Sequence, residues 1–257
     1  MQQETDPTVQ SKMTPDESAE DSVAVGALAV TGVLFVLFVA GVYAYATYGG
    51  PFVNRLSGEL GEVIAARGVT AQEAGQTDDA IRAYQLALQK GFSEPRQKYW
   101  TQIRLAEVLL QTDQYTEASE YAREAIAFDN TDSKLHYVLT ASLWQAKHLD
   151  EALAATDAWL DLVRPKGGRP LEDALWYRGM IYMDLGQRDI ALEVFLEGAR
   201  LDPKDRSSYH AAAILHDLGR DKEAIALLDA YIPSATDARA ELAKKLRDAI
   251  GTPGPSN

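Results

Sequence analysis

Three observations predict an all-α fold of stacked helical repeats with one N-terminal transmembrane helix. Strand signals are nearly absent after residue 58, whereas apolar residues recur at helical spacing through the rest of the chain. A short phrase recurs in that body: one or two polar residues, usually acidic, then alanine, then an aliphatic or small residue. Before it, residues 23–48 form an apolar run without a single charge.

The elements follow in order. Residues 1–22 carry six acids (Glu4, Asp6, Asp16, Glu17, Glu20, Asp21) against one base, Lys12, and read as an acidic disordered tail. Val23 to Ala46 as a helix would be about 36 Å long, enough for a hydrocarbon core of about 30 Å. Tyr43, Tyr45 and Tyr48 stand at its end, where aromatic rings favour the headgroup interface, and Gly49-Gly50-Pro51 breaks it. The run is too long for a cleaved signal and lacks a basic flank, and the chain has no cysteine to acylate. These features predict a retained single-pass anchor over 23–48, in a bacterial inner membrane. Gly32, Ala40 and Ala44 share one ridge of it and form a candidate helix contact in lipid. One lysine before the span and two arginines after it (Arg55, Arg67) lean the body towards the cytoplasm, with the periplasm as the alternative. Residues 49–58 read as a linker and 251–257 as a disordered tail.

The body, 59–250, is a repeat. The recurring alanines are Ala80, Ala118, Ala152, Ala191 and Ala224, spaced 38, 34, 39 and 33 residues apart. The fourth unit carries Trp176, Tyr177, Gly179, Tyr182, Gly186, Ala191, Phe195 and Pro203; the first keeps Gly68, Gly75, Ala80, Tyr84 and Ala87. The fifth keeps Gly219 and Ala224, and the second and third are looser, with Ala106 and Thr140 where the first and fourth have glycine. This pattern resembles the tetratricopeptide repeat (TPR), over five units spanning about residues 59–235. The resemblance implies a TPR-type solenoid of helix–turn–helix pairs, in which small residues sit where the two helices of a pair cross. No single pair buries its apolar face alone, so the stack needs a closing element. Residues 238–250 are amphipathic and read as a cap helix, with Leu242, Leu246 and Ile250 on one stripe. The two long spacings place extra residues at 91–98 and 163–170; the second, with Arg164, Lys166 and Arg169, reads as a solvated loop or as a contact for an acidic partner or a lipid headgroup.

Composition bounds the function. The net charge of −13 disfavours nucleic acid, and the absence of cysteine excludes thiol chemistry, disulfides and cysteine-bound zinc. No nucleophile elbow, P-loop, GxGxxG or HExxH is present. His210 and His216 stand about 120° apart on a helix. Asp157 and Asp161 share a face but read as solvated. We expect no enzyme, no metal, no cofactor and no small-molecule substrate.

The TPR resemblance implies that the first helices of the pairs line a concave surface. In register with the repeat alanines, that face carries Trp100, Ile103 and Leu110, then Tyr137 and Trp144, then Trp176, Met180 and Met183, then Tyr209. Such a surface, aromatic and methionine-rich, fits an apolar or helical segment of a protein partner; the alternative is that some of its rings pack between adjacent first helices. The carboxylate-clamping TPR mode is unsupported, because Ala65, Val69, Ile103 and Glu107 stand at its positions. Trp159 replaces a small residue in the third unit and reads as core. The expectation is a membrane-anchored adaptor that aids assembly or quality control of a membrane or envelope complex. The alternative is a structural accessory subunit of a membrane-embedded complex, held mainly through the span.

Overall fold

The computed structural model describes residues 60–235 and 237–251. The chain is helical over 60–73 (α1), followed by α2 (Thr77–Lys90), α3 (Pro95–Gln111), α4 (Tyr115–Phe128), α5 (Ser133–Gln145) and α6 (Leu149–Val163). Then come α7 (Arg169–Asp184), α8 (Arg188–Leu201), α9 (Ser207–Asp217), α10 (Asp221–Tyr231) and α11 (Asp237–Gly251). Five helix–turn–helix pairs and a closing helix result, as the period implies.

Each pair is fixed by one crossing. At the same register the first helix presents Gly68, Ala106, Thr140, Gly179 and Ala212, and the second presents Tyr84, Ala122, Thr156, Phe195 and Leu228. Every side chain among them is fully buried. Glycine stands opposite the two aromatic rings, and alanine or threonine opposite smaller partners. A methyl at Gly68 would lie 2.6 Å from the Tyr84 ring, so the bare backbone is what lets α1 and α2 close over a tyrosine.

The turns inside the pairs are equally regular. Gly75, Asp113, Lys147, Gly186 and Gly219 occupy equivalent positions, and all have φ between 61° and 73°. In each the chain leaves its first helix by a left-handed residue, the usual way to end a helix and reverse within a few residues. Three of the five are glycine; Asp113 and Lys147 adopt the same conformation with a Cβ.

Successive first helices pack on one another, α3 on α5, α5 on α7 and α7 on α9. Successive second helices make no comparable contact; α4 reaches α6 through the Arg123–Glu151 ion pair, and the Arg164–Glu197 pair links the end of α6 to α8. The first helices therefore form the inner side of the curve. Closure at the far end falls to α11, which packs on α10 and α9 with Ala243, Leu246 and Ile250 towards the core. The predicted stripe is displaced by one residue, because Leu242 is half-exposed and Ala243 takes the buried place.

The single-pass membrane anchor is corrected. No helix among the described residues is long and apolar enough to cross a membrane. The longest of α2 to α11 has 17 residues, about 26 Å of rise, and each of these helices is amphipathic and charged. The architecture that the described residues support is an all-α repeat solenoid with no membrane-crossing helix among them, and the membrane localisation is withdrawn. The proposed span 23–48 and its contact residues Gly32, Ala40 and Ala44 lie outside the described residues, as do the tail 1–22 and the linker 49–58.

Candidate protein-binding face

The inner face is built from turn-by-turn repetition along α1, α3, α5, α7 and α9. Its charged residues pair across neighbouring repeats. Lys134 on α5 reaches Glu107 on α3 at 2.6 Å. Asp184 on α7 accepts from the Trp144 indole at 2.9 Å and from Lys147 at 2.8 Å. Arg206, just before α9, donates to Asp173 on α7 at 2.8 Å while its guanidinium lies 3.7 Å from the centre of the Trp176 ring. Burial lowers the Arg206 pKa, against the opposing pull of Asp173 and Asp205, so this pair works in a partly dry setting.

The predicted aromatic residues divide into two groups. In α5, α7 and α9 the rings mostly pack on each other. Trp144 meets Trp176 edge to face at 5.8 Å, and Tyr137 lies 6.0 Å from Trp159 and 5.7 Å from Tyr177. Tyr177, which the sequence marks as a repeat residue but not as one of the inner face, is the hub: Tyr137, Trp144, Trp159 and Trp176 all lie against it. Burial, reinforced by Tyr137, drives its phenol far above the ordinary range. Trp159 is core as expected, and its indole donates to Ser133 at 2.8 Å. Trp144, Trp176, Met180, Met183, Tyr209 and Leu110 are partly buried against the hydrophobic clusters between repeats. Ile103 is 4% exposed and packs with Tyr99, Ala125 and Leu135, so it faces the interior and not the groove. Only Tyr137, at 38%, keeps an open ring in this region.

Trp100 on α3 is different. It is 46% exposed and forms the shared wall of two clefts. The first, about 320 Å³, runs between α1 and α3 and is lined by the apolar Ala65, Ala66 and Val69 together with Glu62, Tyr84, Gln97, Thr101 and Arg104. The second, about 330 Å³, opens towards the end of α4 and is lined by Arg96, Tyr99, Phe128, Asp129 and Asp132. The sequence could have flagged Phe128, a large apolar residue immediately before the turn Asp129-Asn130-Thr131.

The other sequence candidates are placed plainly. Asp157 pairs with Arg178 at 3.2 Å, so the Asp157 and Asp161 pair is an ion-paired, solvated face. Arg164 and Arg169 of the basic loop are engaged with Glu197 and with Glu172 and Asp173. Among the described residues no group of three or more acidic or histidine side chains is placed to hold a metal. His210 is partly buried and stacked on Phe195 at 5.1 Å, a packing role.

The chain matches the family profile of anaphase-promoting complex, cyclosome, subunit 3 over residues 73–159 and that of the tetratricopeptide repeat over residues 178–241. A comparison with curated proteins finds no match. Among solved structures it is similar to MamA, with 18% identity, 77% of this chain and 100% of that one covered, and a TM-score of 0.57. It is similar to PilF of Pseudomonas aeruginosa, with 17% identity, 77% and 91% coverage and a TM-score of 0.56. It is also similar to YrrB, described as a TPR protein with an unusual peptide-binding site, with 20% identity, 71% and 90% coverage and a TM-score of 0.53. At these identities the likeness is one of fold.

Proposed function

We propose that this chain, whose fold and profile matches are those of a tetratricopeptide-repeat protein, is an adaptor that holds a segment of a partner protein along the inner face of its first helices. The segment is apolar or helical, and the adaptor serves in the assembly of a larger protein complex. The observation that carries the reading is Trp100. A large ring left 46% exposed beside a cleft floored by Ala65, Ala66 and Val69 is an open docking place on an otherwise self-satisfied surface. The peptide-binding site ascribed to YrrB supports the same use of the fold.

The structure determines which residues make a clean test. Trp144 and Trp176 are woven into the inter-repeat packing, so replacing them disturbs the solenoid. Trp100 and Tyr137 are the exposed rings. Crosslinked purification of the full chain beside the Trp100→Ala/Tyr137→Ala variant is the experiment. A partner captured by the wild type and lost by a variant of unchanged helical content is the expected result. A partner retained equally by both would move binding to the outer face and overturn the reading.

A further inference from the structure

The second cleft beside Trp100 has a chemistry of its own. Three rings surround it: Tyr99 lies 5.2 Å from Trp100 edge to face and 5.2 Å from Phe128. Phe128 is 54% exposed and Trp100 46%, whereas Tyr99 is buried between them, so two of the three rings are open to the cleft. Two carboxylates sit in the same cleft. Asp129 uses Oδ1 to hold the backbone amide and hydroxyl of Thr131, at 2.9 and 2.7 Å. Asp132 uses Oδ1 to cap α5 through the amide of Lys134 at 2.9 Å, and Oδ2 accepts a long bond from the Tyr99 hydroxyl at 3.4 Å. Among the described residues neither carboxylate is placed in an ion pair, although Arg96 lines the cleft.

Two carboxylates, Asp129 and Asp132, face one guanidinium, Arg96, in the cleft lining. The Tyr99 phenol is pushed up to about 12 by burial and by Asp132 and Asp129, and Arg96 offsets this only weakly. The hydroxyl and amide of Thr131 hold the Asp129 carboxyl below its ordinary value, so it is charged at neutral pH. Exposed aromatic rings beside charged carboxylates are an environment that favours a cation.

We propose that the Tyr99–Trp100–Phe128 cleft, with Asp129 and Asp132, receives a basic side chain of the partner segment, while an aliphatic neighbour of that side chain enters the Ala65–Ala66–Val69 cleft on the other side of Trp100. The partner motif is thus an arginine or lysine flanked by aliphatic residues. The inference rests on the adaptor reading and names the chemistry of what the adaptor holds. Arg96 is the internal competitor for the carboxylates.

The test uses the full chain labelled with fluorotryptophan, whose four tryptophans give four fluorine NMR signals. The probes are three peptides, acetyl-Leu-Ala-Xaa-Ala-Leu-amide, with Xaa as Arg, Gln or Glu. The Arg peptide is expected to move the Trp100 signal and to bind roughly five-fold more tightly than the Gln peptide, with the Glu peptide weakest. That preference should fall away in Asp129→Asn/Asp132→Asn and grow in Arg96→Gln. Asparagine keeps the capping acceptor at 132, and an unmoved signal from buried Trp159 reports an intact fold. Equal binding of the Arg and Gln peptides, or a preference that survives the double variant, overturns the assignment of a cation and leaves the adaptor reading standing. A Trp100 signal unmoved by all three peptides overturns this proposal. If partner capture still depends on Trp100 in that case, the adaptor reading survives; if it does not, both fail.

Discussion

Gly179 and Phe195 are a matched pair: a methyl group on Gly179 would lie 2.4 Å from the edge of the Phe195 ring, which is fully buried and has nowhere to move. The fifth repeat solves the same crossing with Ala212 against Leu228. Gly179→Ala is therefore expected to destabilise the chain by about 1–3 kcal/mol through overpacking. Gly179→Ala/Phe195→Leu should recover much of that loss, since it recreates the pair found one repeat later. Thermal melts of the two variants check this; a double variant no better than the single one would refute the matched-pair account.

The left-handed turn residues give a stabilising substitution. Asp113 holds φ at 61° where three other repeats use glycine. A Cβ in this region strains the backbone by about 1 kcal/mol. Asp113→Gly is expected to raise the melting temperature by about 2–4 °C. Gly186→Ala, the reverse change at the equivalent turn, should lower it by a similar amount.

Acid should loosen the fourth and fifth repeats before the rest. Burial, together with Arg206 and Arg239, lowers the His210 pKa from 6.5 to about 4. The unfolded chain takes up a proton between these values that the folded chain refuses. The contribution of His210 is thus fully present above pH 6.5 and is lost as the pH falls towards 4, amounting to about 3 kcal/mol. His210→Phe keeps the stack on Phe195 and removes the titration. Its stability should vary less between pH 6.5 and 4, as denaturant melts at several pH values will show.

Arg206 combines a flat stack on Trp176 with an ion pair to Asp173. A lysine there keeps the charge but loses the planar face and the fixed donors. Arg206→Lys is expected to destabilise by about 1 kcal/mol, and Arg206→Ala by about 2–3 kcal/mol, because Asp173 then loses its principal partner. Equal effects of the two would mean that charge alone matters at this site.

Much of this architecture can be read in the residues. The five alanines and their spacing locate all five pairs, and Gly68 and Gly179 mark the crossings that carry a large ring. Trp159, where the repeat expects a small residue, is legible as core. The division of the inner face is not. Period and register place Ile103, Trp144 and Trp176 on the same face as Trp100, yet only Trp100 stays open. What decides this is the rotation between neighbouring first helices, and that depends on side chains at positions such as Tyr177 and Arg206 that the period does not weight. The apolar run at 23–48 shows the opposite limit. Its composition suggested an anchor, and no described helix supports one.

The asymmetry of contacts between successive pairs has a mechanical consequence. First helices rest against one another, while second helices make few direct contacts across repeats, among them exposed ion pairs such as Arg123–Glu151, which hold weakly in salt. When such a stack flexes, the inner row acts as its neutral axis. Strain is taken up by gaps opening and closing along the outer row, and the distance from Trp144 to Trp176 stays nearly constant. A stack so joined is expected to bend with little change in the spacing of the rings along its inner edge.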